Sequence, residues 1–141
     1  MATNAVPFAA SASATQEPGF LPLAGRILIA AIFLLSGVTK LTAPVATIAY
    51  IQAAGLPAPA LAFALAAATE LGAGVLLVLG YRTRMIAAWL ALFTLATAFG
   101  FHRDVADQNQ FIHFFKNIAM AGGLLQIIAF GGGRFSLDRQ R

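Results

Sequence analysis

Four apolar runs, each long enough to cross a bilayer, alternate along the chain with short polar breaks. They extend from about Leu21 to Leu41, Ala60 to Gly80, Met85 to Phe101 and Phe111 to Phe130. A helix rises about 1.5 Å per residue, so roughly 20 apolar residues match a hydrocarbon core about 30 Å thick. The pattern predicts an all-α fold, an integral membrane four-helix bundle occupying residues 20–133.

The breaks between the runs set the connections. Pro44 ends the first run, and Val45 to Gln52 predicts a short helix lying in the interface with Tyr50 at headgroup depth. Gly55-Leu-Pro-Ala-Pro59 then turns the chain into the second run. Tyr81-Arg82-Thr83-Arg84 is so short that the second and third helices must be antiparallel neighbours. Phe101 to Gln110 is the one sustained polar loop, and Gly131-Gly-Gly-Arg134 breaks the fourth helix ahead of a short basic tail, residues 134–141. Before the first helix, residues 1–19 are rich in Ala, Ser and Thr, which predicts a tail that buries no core. That stretch carries no Lys or Arg, so it lacks the basic leader of a secretory signal, and Ile27 to Leu35 reads as part of the first span.

Composition confirms the class: of 141 residues 60% are hydrophobic and only 10% charged, far below the roughly 25% of a soluble domain. The absence of Cys excludes disulfides, thiolate metal sites and thiol catalysis from within this polypeptide. The net charge of +4 is informative through its distribution. Four spans put both termini on one side with the short basic turn, and that side collects Arg26, Arg82, Arg84, Arg134, Arg139 and Arg141. The other side holds Lys40, Arg103 and Lys116. The asymmetry predicts a cytoplasmic N-terminus and C-terminus, and nothing in it points to nucleic acid.

One carboxylate stands out. Glu70 lies near the middle of the second run with no other charge in it, close to the bilayer midplane. An acid at that depth is costly unless it faces protein or water and is neutralised or paired with a cation. Lys40 ends the first helix, His102 ends the third, and His113, Lys116 and Asn117 begin the fourth, all toward the same end of the bundle. His113 shares a helix face with both Lys116 and Asn117. These residues predict a polar pocket in one half of the bundle, with Glu70 paired to Lys116 or Lys40, used for a ligand or a proton. The plainer reading is that a buried Glu–Lys pair only fixes helix register. Arg26 and Lys40 are roughly 21 Å apart by helical rise, which predicts two interfacial anchors snorkelling outward. The neighbouring Ser36-Gly37-Val38-Thr39 adds a polar, close-packing face. Thr94 and Thr97, in mid-helix, are expected to bond their own backbone carbonyls. Haem is not expected at His102 and His113, which lie beside a polar loop, and no set of side chains forms a convincing metal site.

Together these residues resemble the DoxX family. The resemblance rests on Gly25-Arg26, Ser36-Gly37-Val-Thr-Lys40-Leu with Pro44, Gly55-Leu-Pro57, Glu70-Leu-Gly-Ala-Gly74, Phe115-Lys116-Asn117, Gly122-Gly123 and Gly133-Arg134-Phe-Ser-Leu-Asp138. It implies a four-helix protein of the bacterial inner membrane, related to subunits of quinone-linked oxidoreductases. It marks Arg26, Lys40, Glu70, Lys116 and Asn117 as family-like positions without assigning any a catalytic role. The chain is therefore expected to be a subunit of, or accessory to, a quinone-linked oxidoreductase. Quinone is the expected ligand, no cofactor is held covalently, and a redox partner subunit is implied, with self-association also open. The alternatives are a small proton-coupled transporter and a non-catalytic assembly subunit. A lysine paired with Glu70 ranks the transporter lower, because it occupies the place of a transported cation.

Overall fold

The computed structural model describes residues 19–140. The expected N-terminal tail, apart from Gly19, and Arg141 lie outside the described residues. Those described form helices α1 (Leu21–Thr42), α2 (Pro44–Ala53), α3 (Pro59–Ala68), α4 (Gly74–Leu79), α5 (Thr83–Phe101) and α6 (Gln108–Phe130), with no strand among them. A π-helical turn, Thr69–Ala73, joins α3 to α4 in a single span, Pro59–Leu79. That span together with α1, α5 and α6 makes four helices long and apolar enough to cross a membrane.

Local chemistry explains where the helices begin. Proline stands in the first turn of α1, α2 and α3, where a missing N–H leaves no bond unmade. The α6 helix starts three residues before the expected Phe111, because the Asp107 side chain accepts from the backbone N–H of Gln110 at 2.8 Å. The α5 helix starts at Thr83, where the capping group comes from a distant part of the chain. Asp138, in the turn Leu137–Gln140, accepts from the backbone N–H groups of Arg82 and Thr83 at 2.6 and 2.7 Å. The segment after Gly133 is thus folded back onto the turn between α4 and α5.

Arg26 lies at the centre of that arrangement and departs from expectation. It is fully buried rather than anchored at the interface, and its Nη1 donates to the carbonyl oxygens of Leu77 and Val78 at 3.0 and 2.9 Å. Its Nη2 donates to the carbonyl oxygen of Phe135. The last carbonyls of a helix lack intrahelical partners, and the planar guanidinium fork suits several of them at once. Arg26 therefore ties α1, the end of α4 and the C-terminal segment together.

The spans pack unevenly. At this tail end of the bundle Ala30, Leu77, Ala87, Leu90 and Leu124 form a solid core. α5 and α6 lie along each other throughout, and α1 follows the whole second span. α5 meets the π turn and α4 but makes no comparable contact with α3. The opposite, loop end is consequently splayed, and α2, which packs on α3, roofs the gap. Tyr50 of α2 stacks on Phe101 at the end of α5, with ring centroids 5.5 Å apart. Large apolar side chains such as Leu28, Leu61, Leu92 and Leu125 point outward, as a bilayer requires.

Candidate functional site

Glu70 occupies the second position of the π turn and is only 5% exposed. A π turn inserts one residue into the α-helical repeat, so residues before and after it present different faces. Here α3 turns one face to the splayed half of the bundle while Ala73, Gly74 and Leu77 are buried. Gly37 of α1 lies directly opposite: a Cβ there would sit 2.7 Å from Cγ of Leu71 and 3.2 Å from Cβ of Glu70. That close approach brings the carboxylate within reach of α1. Its Oε1 accepts from Lys40 Nζ at 2.8 Å and from Ser36 Oγ at 3.1 Å. Lys40 Nζ also donates to Ser36 Oγ at 2.7 Å, closing a triangle across two helices. The second oxygen, Oε2, is buried and has no hydrogen-bond partner among the described residues. A buried acceptor left unpaired costs about 1–3 kcal/mol.

Across from Glu70, on α6, Asn117 is buried, and its Oδ1 accepts from Thr94 Oγ1 on α5 at 3.1 Å. This corrects the expectation for Thr94, whose hydroxyl reaches another helix. Thr97 behaves as expected and donates to the carbonyl oxygen of Phe93 at 2.9 Å. With its oxygen engaged by Thr94, the Asn117 amide N–H groups have no hydrogen-bond partner among the described residues. Further out, Lys116 is exposed and lies 3.0 Å from Nδ1 of His113, while the His113 ring stacks on His102 at 5.1 Å. His102 Nδ1 is 2.8 Å from Gln110 Oε1. Of the two lysines offered as partners for Glu70, Lys40 is the one that pairs. Lys116 cannot do so while its amine is turned to the histidines at the loop end.

Lys40, Glu70, His102, Lys116 and Asn117 line a single cavity of about 520 Å³. His113 stands behind its rim, and Arg26 belongs to the opposite end of the bundle. Most of the wall is apolar, with Ile32, Phe33, Leu65, Trp89, Phe93 and Met120 prominent. Leu65 on α3 and Trp89 on α5 line the cavity and are each more than half exposed. Sequence reasoning missed Thr94 as the group that orients Asn117, and it did not foresee that Trp89 and Phe93 form a wall. A hydroxyl in mid-span was the only signal for Thr94; nothing in the chain marked the other two. A cavity of this size, mainly apolar with a few convergent polar groups, suits a small amphipathic molecule.

The DoxX family profile matches residues 21–103, which covers α1 through α5 and includes Arg26, Lys40 and Glu70. The chain is 37% identical over 117 residues to inner membrane protein YqjF of Escherichia coli (strain K12), covering 83% of this chain and 88% of that protein. It is 36% identical over 126 residues to inner membrane protein YphA of the same organism, covering 85% of this chain and 89% of that protein. No solved structure gives a significant match. With its four apolar spans, the chain belongs to the DoxX family and is a multi-pass inner-membrane protein.

Proposed function

We propose that the cavity beside Glu70 binds a quinone and that the protein serves a quinone-linked oxidoreductase of the membrane as a subunit or accessory. The observation that carries this reading is the unpaired Oε2 of a buried carboxylate in the wall of a mainly apolar cavity. Such an oxygen is suited to accept a hydrogen bond or a proton from a bound group, and Lys40 and Ser36 steady the carboxylate through its other oxygen. Asn117, with its oxygen held by Thr94, is positioned to donate to a ligand carbonyl. In this reading a lipid-soluble molecule enters from the bilayer between Leu65 and Trp89, without crossing water.

A bound quinone supplies two-electron, two-proton chemistry. The chain's own part is to hold the head group, exclude water by its apolar wall, and exchange a proton at Glu70. In this reading the electrons come from a redox partner subunit. The transporter alternative is less favoured, since Lys40 already occupies the cation's place at Glu70.

The test is to purify the protein in native-lipid particles and extract bound quinone, with Glu70→Gln and Asn117→Ala measured beside it. The expected result is quinone retained at a near-stoichiometric level by the wild type and lost from both variants. Quinone no higher than in protein-free particles from the same membrane would overturn the reading.

A further inference from the structure

At the tail end, well away from the Glu70 cavity, a second cleft of about 460 Å³ lies between the start of α5 and the end of α6. Arg82, Arg84, Met85, Gly131 and Gly132 are part of its lining. The guanidinium groups of Arg82 and Arg84 make no hydrogen bond or ion pair with any of the described residues. Asp138 also lines the cleft, but both of its oxygens accept from backbone, Oδ1 from the N–H of Arg82 and Oδ2 from that of Thr83. Those two bonds hold its carboxylate at the start of α5.

Two features point to an external anion. Arg82 adopts φ 44°, a left-handed conformation that favours glycine, so a side chain is carried here at a conformational cost that no internal contact of its guanidinium offsets. Gly131, with φ 81°, lies beside Arg84, where an added Cβ would come within 3.5 Å of Nε; a bare backbone leaves that guanidinium open. The location selects the kind of anion. α4 ends at Leu79, α5 starts at Thr83 and α6 ends at Phe130, so the cleft lies where three spans meet the membrane surface. Exposed Met85 lines it, and exposed Phe130 and Phe135 are the chain neighbours of its lining residues Gly131 and Ser136. A soluble anion has no use for that surface, whereas a phospholipid brings acyl chains to cover it.

We infer that this cleft binds the headgroup of an anionic phospholipid, its phosphate between Arg82 and Arg84 and its chains against Met85 and Phe130. The site is independent of the quinone reading and shares no lining residue with the Glu70 cavity.

The experiment compares wild type, Arg82→Gly, Arg84→Gln and Arg103→Gln in neutral detergent. Thermal unfolding is followed while phosphatidylglycerol, phosphatidylcholine or inorganic phosphate is added, and bound lipid is counted by native mass spectrometry. Phosphatidylglycerol alone should raise the melting temperature of the wild type and of Arg103→Gln. Each cleft variant should bind it about fivefold more weakly and lose most of that rise. Arg82→Gly removes the backbone strain, so without lipid it should melt no lower than the wild type, which separates loss of a ligand from loss of the fold. An equal rise in wild type and both cleft variants would overturn the inference. So would an equal effect of phosphatidylcholine or of inorganic phosphate.

Discussion

Lys40 Nζ and Glu70 Oε1 lie 2.8 Å apart, one on α1 and the other on the π turn of the second span, with Ser36 Oγ bonded to both. The pair is asymmetric in its surroundings: the Lys40 side chain is 23% exposed and that of Glu70 only 6%. Removing either partner therefore has unequal consequences. Lys40→Met leaves a buried carboxylate with one hydroxyl for company and should cost about 3 kcal/mol. Glu70→Gln keeps an acceptor for Ser36 and leaves a lysine that is less buried than the carboxylate and still bonded to Ser36, so it should cost about 1 kcal/mol. Thermal unfolding in detergent checks this, and equal losses for the two variants would refute the asymmetry.

The tail end makes a sharper steric prediction. A Cβ at Gly80 would lie 2.3 Å from Nη1 of Arg26 and 2.5 Å from Cβ of Ser136, and Gly80 has φ 70°. Gly80→Ala must either distort the backbone or dislodge Arg26 from the carbonyls it satisfies, and should destabilise by more than about 2 kcal/mol. Gly72, in the π turn, has nothing within 4 Å of an added Cβ. Gly72→Ala should change the melting temperature little, and a loss there as large as that at Gly80 would contradict the packing described.

The two mid-span threonines of α5 differ in what they hold. Thr94 bonds Asn117 across a helix pair, whereas Thr97 bonds its own helix. An interhelical hydrogen bond in a membrane protein averages about 0.6 kcal/mol and reaches about 1.7. Thr94→Val should lose an amount in that range and release the Asn117 side chain. Thr97→Val should be close to neutral, which the same unfolding measurement would show.

Access to the cavity can be closed from α3. Ala66 is half-buried and lines the cavity on the face turned to Trp89 and Phe93. Ala66→Phe adds apolar volume where space already exists, so the fold should stand while ligand retention falls at least tenfold. Retention unchanged in Ala66→Phe would mean that the ligand binds elsewhere.

Much of this arrangement was readable from residue pattern. The four spans follow from apolar length, the antiparallel pairing of the second and third from a very short turn, and α2 from a proline-bounded apolar stretch. The need of Glu70 for a cation follows from its depth alone. A charge five or six residues inside an apolar run, as Arg26 is, looks the same in sequence whether it snorkels or is buried. Only the carbonyls of Leu77, Val78 and Phe135, far away in sequence, distinguish the two. The capping role of Asp138 is hidden in the sequence for the same reason, since its partners are the distant backbone N–H groups of Arg82 and Thr83.

Transfer into a bilayer is a local free energy, summed residue by residue. The sequence by itself accordingly determined the class, the number and length of the spans, and the depth of the lone carboxylate. Which lysine meets that carboxylate depends on the rotation and register of one helix against another. The close approach at Gly37 and the extra residue of the π turn decide both, and they select Lys40. The cavity likewise exists because α5 stands off from α3 while remaining packed on α6, a relation among helices that no single stretch of sequence contains.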